Sequence, residues 1–581
     1  MKPLLPAALA AGVMALWAQA PATDPLLQAM HDEIERSRKL TVNNLEAPYF
    51  IEYLIDEADN FNVSASLGGL LARRRERFRA PEIHVRVGDY KFDNTNFAGG
   101  GTGQGTRYDL ERFPLENAYP VLRRYLWLET DAAYKAAVEA ISRKRAAMRN
   151  VTQNGQLNDF AHAEPVHYLR PLRRLAIDED GWASRVRALS AVFAQFPEIR
   201  NSSVELEASE GGYYVANSEG GEVRAPESAT LLRVRAAAQA PDGMTMRDAV
   251  TFHSLDAARM PSDAELNRGV TALAEHVTEL ARAPRGEDYN GPVLFEGVAG
   301  AQILAEVLGK NLAPVRRPVM TGGRGGGNAA GELEGRIGAR VLPDSFEVVD
   351  DPTQKEWRGR PLFGSYDVDR EGVMATPLRL VEKGVLKNYL LTRLPVRGFE
   401  GSNGRARLPG TYGASNAGFS NLFISSSEAV PVRELKKKLI ELIKARNQPY
   451  GIIVRKMDFP SSASLDEARR MLAGAQGSGR PVSMPILVYQ AYPDGREELV
   501  RGLLFRGLNV RSLKDILAAG DDEAAFEFMD SAAPFALIGF SSYAAEACVV
   551  APSILIDDLE LHPMEEELPK LPIVTAPELA R

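Results

Sequence analysis

Cysteine is almost missing: Cys548 is the single example in 581 residues. A lone thiol closes no internal disulfide, so the fold must be held by burial, which a chain of this length can supply. Cys548 sits in the apolar run EACVVAPSILI with no basic neighbour to lower its pKa, and it reads as a buried, inert thiol. Histidine is sparse as well, with His31, His84, His162, His167, His253, His276 and His562. No two of these stand at the i, i+4 spacing through which one helix grips zinc with two imidazoles. His162 and His167 come nearest, but Pro165 interrupts any helix between them, so a loop pair is expected there and not a ligand pair. No Gly-x-Ser-x-Gly elbow occurs, which leaves a serine hydrolase without its anchor.

Long apolar runs are missing too. Beyond the start of the chain none reaches the roughly 18 residues at which a membrane-spanning helix is read. The start itself, MKPLLPAALAAGVMALWAQAPA, combines a lysine, a short apolar run and small residues in an Ala-x-Ala arrangement. That pattern reads as a secretory signal with cleavage after Ala20 or Ala22, and the expected location is periplasmic or secreted. No cysteine lies near the cut to carry a lipid. The formal charge of −8 is small for the length, and the basic clusters at 72–79 and 142–149 are local. They read as solvated faces, and nucleic acid is not the implied partner. The Gly-rich loop at 322–327 lacks a Gly-Lys-Ser/Thr ending, so it reads as a surface loop and not a phosphate cradle. DVDREG, Asp367 to Gly372, imitates the start of a calcium loop, but Leu378 stands where a bidentate glutamate belongs. A polar turn between strands is expected instead.

What is present alternates between helical and strand patterns. Apolar spacing after Asp24 predicts an opening helix capped by that aspartate, and PYFIEYLIDEA and EIHVRVGDYKF predict neighbouring strands. Helices are predicted over AYPVLRRYLWLETDAAYKAAVEAISRKRAAMRNV and DGWASRVRALSAVFAQFP, and an antiparallel meander follows from Ser203. Ser262 with Glu265 three residues on is a capping box opening a helix over 262–283. PRGEDYNGP then marks a boundary. Strands outnumber helices beyond it, apart from VRELKKKLIELIKARN. The expected class is α+β, a mixed N-terminal α/β region followed by a β-rich C-terminal domain, with no repeat period. The divisions are a signal at 1–22, an α+β region at 23–180, a sheet-and-helix region at 181–285, the β-rich domain at 286–562 and a loose Pro/Glu-rich tail at 563–581.

Seven segments then stand in a telling order: YYVANSEGGEVR (213–224), GPVLFEGVAGAQILAEVL (291–308), GRIGARVLPDSFEVVDDPT (335–353), VMATPLRLVEKGVLKNYLLTRL (373–394), GSNGRAR (401–407), SNLFIS (420–425) and RGLLFRGLNV (501–510). Together they resemble the TldD/PmbA family of metallopeptidases, also called modulators of DNA gyrase. They span about Ser203 to Leu559, and the first 180 residues match only loosely. In the family's catalytic branch, as the resemblance implies, a helix in this region carries His-Glu-x-x-x-His, whose imidazoles bind zinc while the glutamate polarises the attacking water. Here Ala305 and Lys310 stand at the histidine positions and only Glu306 remains. Alanine has no donor atom, and a lysine ammonium has no free lone pair. Positions five apart on a regular helix point about 140° away from each other, so the zinc motif itself needs a distorted or terminating helix. Without the metal, a regular helix with an ordinary Glu306–Lys310 pair is expected. The catalytic branch also uses a cysteine near the C-terminus, but the EACVVAPS setting departs from the family's Gly-rich surroundings, so that role is not carried to Cys548.

The resemblance implies a non-catalytic, PmbA-like subunit with no cofactor of its own. Its partner would be a zinc-bearing TldD-like homologue, or a second copy of itself in a dimer, and its substrate an unfolded polypeptide. The alternatives are a stand-alone binding or scaffold protein with the same fold, and a hydrolase whose active groups are of another kind.

Overall fold

The computed structural model describes residues 24–40, 46–100, 106–108, 113–149, 157–319, 331–410, 415–460, 462, 482–530 and 545–564. The signal segment, the Gly-rich loop at 322–327 and nearly all of the tail lie outside them.

Helix α1, Pro25–Ser37, opens as its cap predicts, with the Asp24 carboxylate accepting from the Leu26 N–H at 3.0 Å. Its buried stripe, Leu26, Leu27, Met30 and Ile34, packs with α2 (Tyr119–Met148) onto Ile51, Tyr53, Ile55, Ile83 and Val85. Helices α3 (Glu179–Ala191) and α4 (Asp263–Arg282) continue this layer over Phe61, Val63, Val204, Leu206, Leu232 and Val234. The Ser262–Glu265 capping box forms in full.

The helices cover one sheet. Strand Pro48–Ser66 pairs antiparallel with Gly69–Val87 on one side and Ile199–Asn217 on the other, and Glu222–Gln239 and Thr245–Ser254 follow beyond. The short strands Thr106–Tyr108 and His167–Leu169 complete its seven. The expected divide between 23–180 and 181–285 therefore runs through a single sheet. Alternation of apolar residues shows that a segment is a strand, but it carries no information about which distant strand completes the ladder.

Two larger sheets, with two short two-stranded ones, form the C-terminal part. One has six strands, including Phe346–Asp350, Asn421–Ser426, Ala545–Ala551 and Ala524–Asp530; the other has seven, including Pro485–Ala491, Gly451–Met457, Tyr289–Phe295 and Ile554–Pro563. Helix α5, Val298–Val307, shares one core with residues of both, and every residue from Ala299 to Val307 is buried. Helix α6, Val432–Ala445, places Leu435, Leu439 and Ile443 on the far face of the second sheet against Leu294, Ile453 and Leu555. An all-round apolar helix suits the middle layer and an amphipathic one the outer layer.

The DVDREG turn is the polar turn expected. Val368 bridges Met374, and the Asp369 carboxylate accepts from the backbone N–H groups of Glu371, Val373 and Ala406. The turn docks on the N-terminal sheet: Arg370 donates to Asp56, Tyr168 to Asp367, and Tyr213 to the Val368 carbonyl.

Candidate functional site

The end of α5 is where the resemblance places chemistry. The helix starts beyond Gly297, whose N–H donates to the Ser553 hydroxyl at 2.7 Å. At Gly300 a side chain would come within 2.3 Å of the Pro552 carbonyl oxygen, so the helix lies directly against the turn between two strands. Gln302 fastens the other side. Its amide donates to the Met457 and Phe459 carbonyls at 3.2 and 2.7 Å and accepts from the Met457 N–H at 2.9 Å. The sequence reading passed over Gln302; a lone amide in an apolar, fully buried helix was its signal.

Ala305 is wholly buried within the apolar core. Glu306 is 2% exposed and accepts from the Ser483 N–H at 2.9 Å and from the Ser483 hydroxyl at 3.0 Å. The helix stops at Val307, and Gly309–Asn311 continues as a 3₁₀ turn. The expectation of a regular helix with a Glu306–Lys310 pair is therefore corrected. Lys310 pairs instead with Asp530, at the end of a strand, and both side chains are nearly covered. The break has local causes. Gly309 lies against the Phe419 ring, with a side chain there 2.8 Å from it, and the Asn311 amide donates at 2.7 Å to the Val307 carbonyl that the ending helix leaves open.

These positions do not fit zinc. Ala305 offers no donor atom, Lys310 offers an ammonium already in an ion pair, and the Glu306 carboxylate is engaged by Ser483. Among the described residues no group of three or more His, Cys, Asp or Glu is arranged to hold a metal ion.

The other candidates lie apart. Cys548 is fully buried on strand Ala545–Ala551, opposite Asn421 on one neighbour and Glu527 on the other, and burial pushes its thiol well above the usual range. His162 is exposed, 3.9 Å from Glu219 and beside the Tyr90 ring. His167 is also exposed, 3.8 Å from the Glu222 carboxylate that faces it across the ladder. The two histidines thus have different partners.

Four of the resemblance segments meet in one buried network. Arg405 and Asp350, both without exposure, form an ion pair at 2.5 Å; the second Asp350 oxygen accepts from the Ser420 N–H and hydroxyl at 2.7 and 2.9 Å. Arg405 spends its remaining donors on the Asn403 and Thr376 carbonyls. A charge buried this completely needs all of those partners.

Residues 290–458 match the PmbA/TldA metallopeptidase C-terminal domain. A metalloprotease of Archaeoglobus fulgidus is 38% identical over 78 residues, 13% of this chain and 17% of that protein. One of Methanothermobacter thermautotrophicus is 41% identical over 61 residues, 10% of this chain and 12% of that protein. The sequence matches thus cover less than a fifth of either relative. The fold likeness is wider. TldE from Thermococcus kodakarensis matches with a TM-score of 0.57 at 13% identity, covering 92% of this chain and 99% of that one. A candidate modulator of a DNA gyrase from Thermotoga maritima matches with a TM-score of 0.53 at 16% identity, covering 92% and 99%. Residues 290–458 thus carry the C-terminal domain of the TldD/PmbA family, and the chain shares the fold of these structures over nearly its whole length.

Proposed function

We propose that this chain is an exported, non-catalytic subunit of a zinc metallopeptidase assembly, PmbA-like in role, with the zinc held by a TldD-like partner. The observation that carries this reading is the closed end of α5. Where the catalytic branch needs two imidazoles and a free carboxylate, this chain has Ala305, a Lys310–Asp530 ion pair and a Glu306 engaged by Ser483. The retained fold is consistent with a role in assembly. An unfolded peptide is the substrate the family implies, and it would be held by adding as a strand to a sheet edge, a mode that reads backbone and tolerates many side chains.

The test is to produce the mature chain alone and together with a zinc-bearing relative from the same genome, then measure bound zinc, co-purification and cleavage of an unfolded peptide. Zinc and cleavage are expected only with the relative, in a complex containing both chains. Stoichiometric zinc or metal-dependent cleavage by this chain alone overturns the proposal. A soluble self-assembly that ignores the relative and cleaves nothing favours a stand-alone binding role.

A further inference from the structure

Far from α5 in the chain, the N-terminal sheet carries a cavity of about 300 Å³, near the lower end of the range for small-molecule sites. It lies where strand Pro48–Ser66 runs beside Ile199–Asn217, at the pairs Glu57↔Gly212, Ala58↔Gly211 and Asp59↔Glu210. Two adjacent glycines leave this part of the sheet bare, and both are required. A side chain at Gly211 would come within 1.9 Å of the Glu57 carbonyl oxygen, and one at Gly212 within 2.0 Å of the Ala225 carbonyl oxygen. Residues 171–174 close over them, with Leu172 reaching 2.7 Å from where a Gly212 side chain would stand.

The charges around the cavity divide into those already matched and those not. Glu57 is held by Arg77 and Arg79, Asp59 by Arg75, and Arg224 by Asp24. Arg173 and Arg174 form no ion pair among the described residues. One carboxylate oxygen of Glu210 is covered from solvent and has no hydrogen-bond partner, and burial pushes this carboxyl above its ordinary range. Glu210 also stands directly across the ladder from Asp59, a like-charge juxtaposition that favours a cation between them. The cavity therefore offers two arginines, a Glu210 carboxylate that feels the charge of Arg173 without being paired to it, and the Tyr214 hydroxyl. A simple anion would meet Glu210 and Asp59, and a simple cation would meet the two arginines.

We propose that this cavity binds a small zwitterion of the amino acid or dipeptide class, its carboxylates on Arg173 and Arg174 and its ammonium on Glu210. The site is independent of the proposed peptidase role, since it shares no residue with α5. Isothermal titration of the full mature chain with glycyl-glutamate tests it, with N-acetyl-glycyl-glutamate and inorganic phosphate as companion probes. The dipeptide is expected to bind saturably at one site and its acetylated form at least tenfold more weakly. Glu210→Gln is expected to abolish that preference, and the double variant Arg173→Ala with Arg174→Ala to lose at least tenfold in affinity. Both arginines are exposed, so the double variant keeps the fold, which its thermal melt checks. No binding of the dipeptide, equal binding of phosphate, or an unchanged preference in Glu210→Gln overturns the proposal.

Discussion

Lys310 and Asp530 are 7% and 3% exposed, and their ion pair helps to compensate two charges taken out of water. Removing one partner from such a pair costs about 3–5 kcal/mol, whereas replacing both with apolar groups recovers much of the loss. Lys310→Met alone is expected to lose about 3 kcal/mol in urea unfolding, and Lys310→Met with Asp530→Leu to regain at least half of it. A double variant as unstable as the single one would show that the pair does not act as a unit. Nothing in the local sequence pointed to Asp530, because an ion pair across the fold leaves no spacing to read. Glu52 makes a second case. It is 4% exposed, and burial pushes its carboxyl up to about 7, against the lowering influence of His84 and Arg393. A carboxyl whose folded pKa is raised binds its proton more tightly in the fold than in the unfolded chain. Its contribution is thus complete below the ordinary value of 4.5 and is lost as pH rises through about 7. Glu52→Gln removes the titration, so the wild type should lose on the order of 3 kcal/mol relative to it across that window. Chemical unfolding at a series of pH values reads the difference, and a difference that stays flat contradicts the assignment.

Helix α5 shows which parts of an element a sequence discloses. Its existence was legible from the strand-to-helix change at Gly297, as α1 and α4 were from the local caps at Asp24 and at Ser262 with Glu265. Its end was not, since the break depends on the Phe419 ring behind Gly309 and on the Asn311 amide reaching the Val307 carbonyl. That is why an i, i+4 reading of Glu306 and Lys310 failed. The segments around Asp350, Arg405 and Ser420 were legible as an ordered set, but not as one buried network. The beginning of α5 can be tested through its closest backbone approach. Gly300→Ala puts a methyl group 2.3 Å from the Pro552 carbonyl oxygen, where neither backbone can yield cheaply. Overpacking of this kind costs about 1–3 kcal/mol, and it should outweigh the small gain in helix propensity. A thermal melt at or above the wild-type midpoint would show that the turn moves away freely.

The sheet joining residues 48–66 to 199–217 spans the first half of the chain, and its interlocking was invisible to a reading that moves along the sequence. At PRGEDYNGP the sequence changes pattern, and there α4 has ended and the next sheet begins with Tyr289. What keeps the two sides together is a set of buried polar ties. Arg393, without exposure, donates to the Ala161 carbonyl at 2.8 and 2.9 Å and to Glu219 at 2.7 Å, and its guanidinium lies 5.0 and 4.2 Å from the Phe50 and Phe160 rings. Arg370 donates to both oxygens of Asp56 at 2.6 and 2.5 Å. Both arginines belong to the C-terminal part, and all of these partners belong to the N-terminal part. Charge-assisted bonds with buried cation–π contacts are strong enough to couple two units of this size into one cooperative transition. Calorimetry of the wild type should therefore show a single unfolding transition, and the double variant Arg370→Ala with Arg393→Met should show two. Limited proteolysis of that variant should release a fragment ending near residues 284–292. A single transition merely shifted downwards would assign the coupling instead to the apolar contact of Val368 with Leu54, Tyr213 and Val215, which the double variant leaves in place.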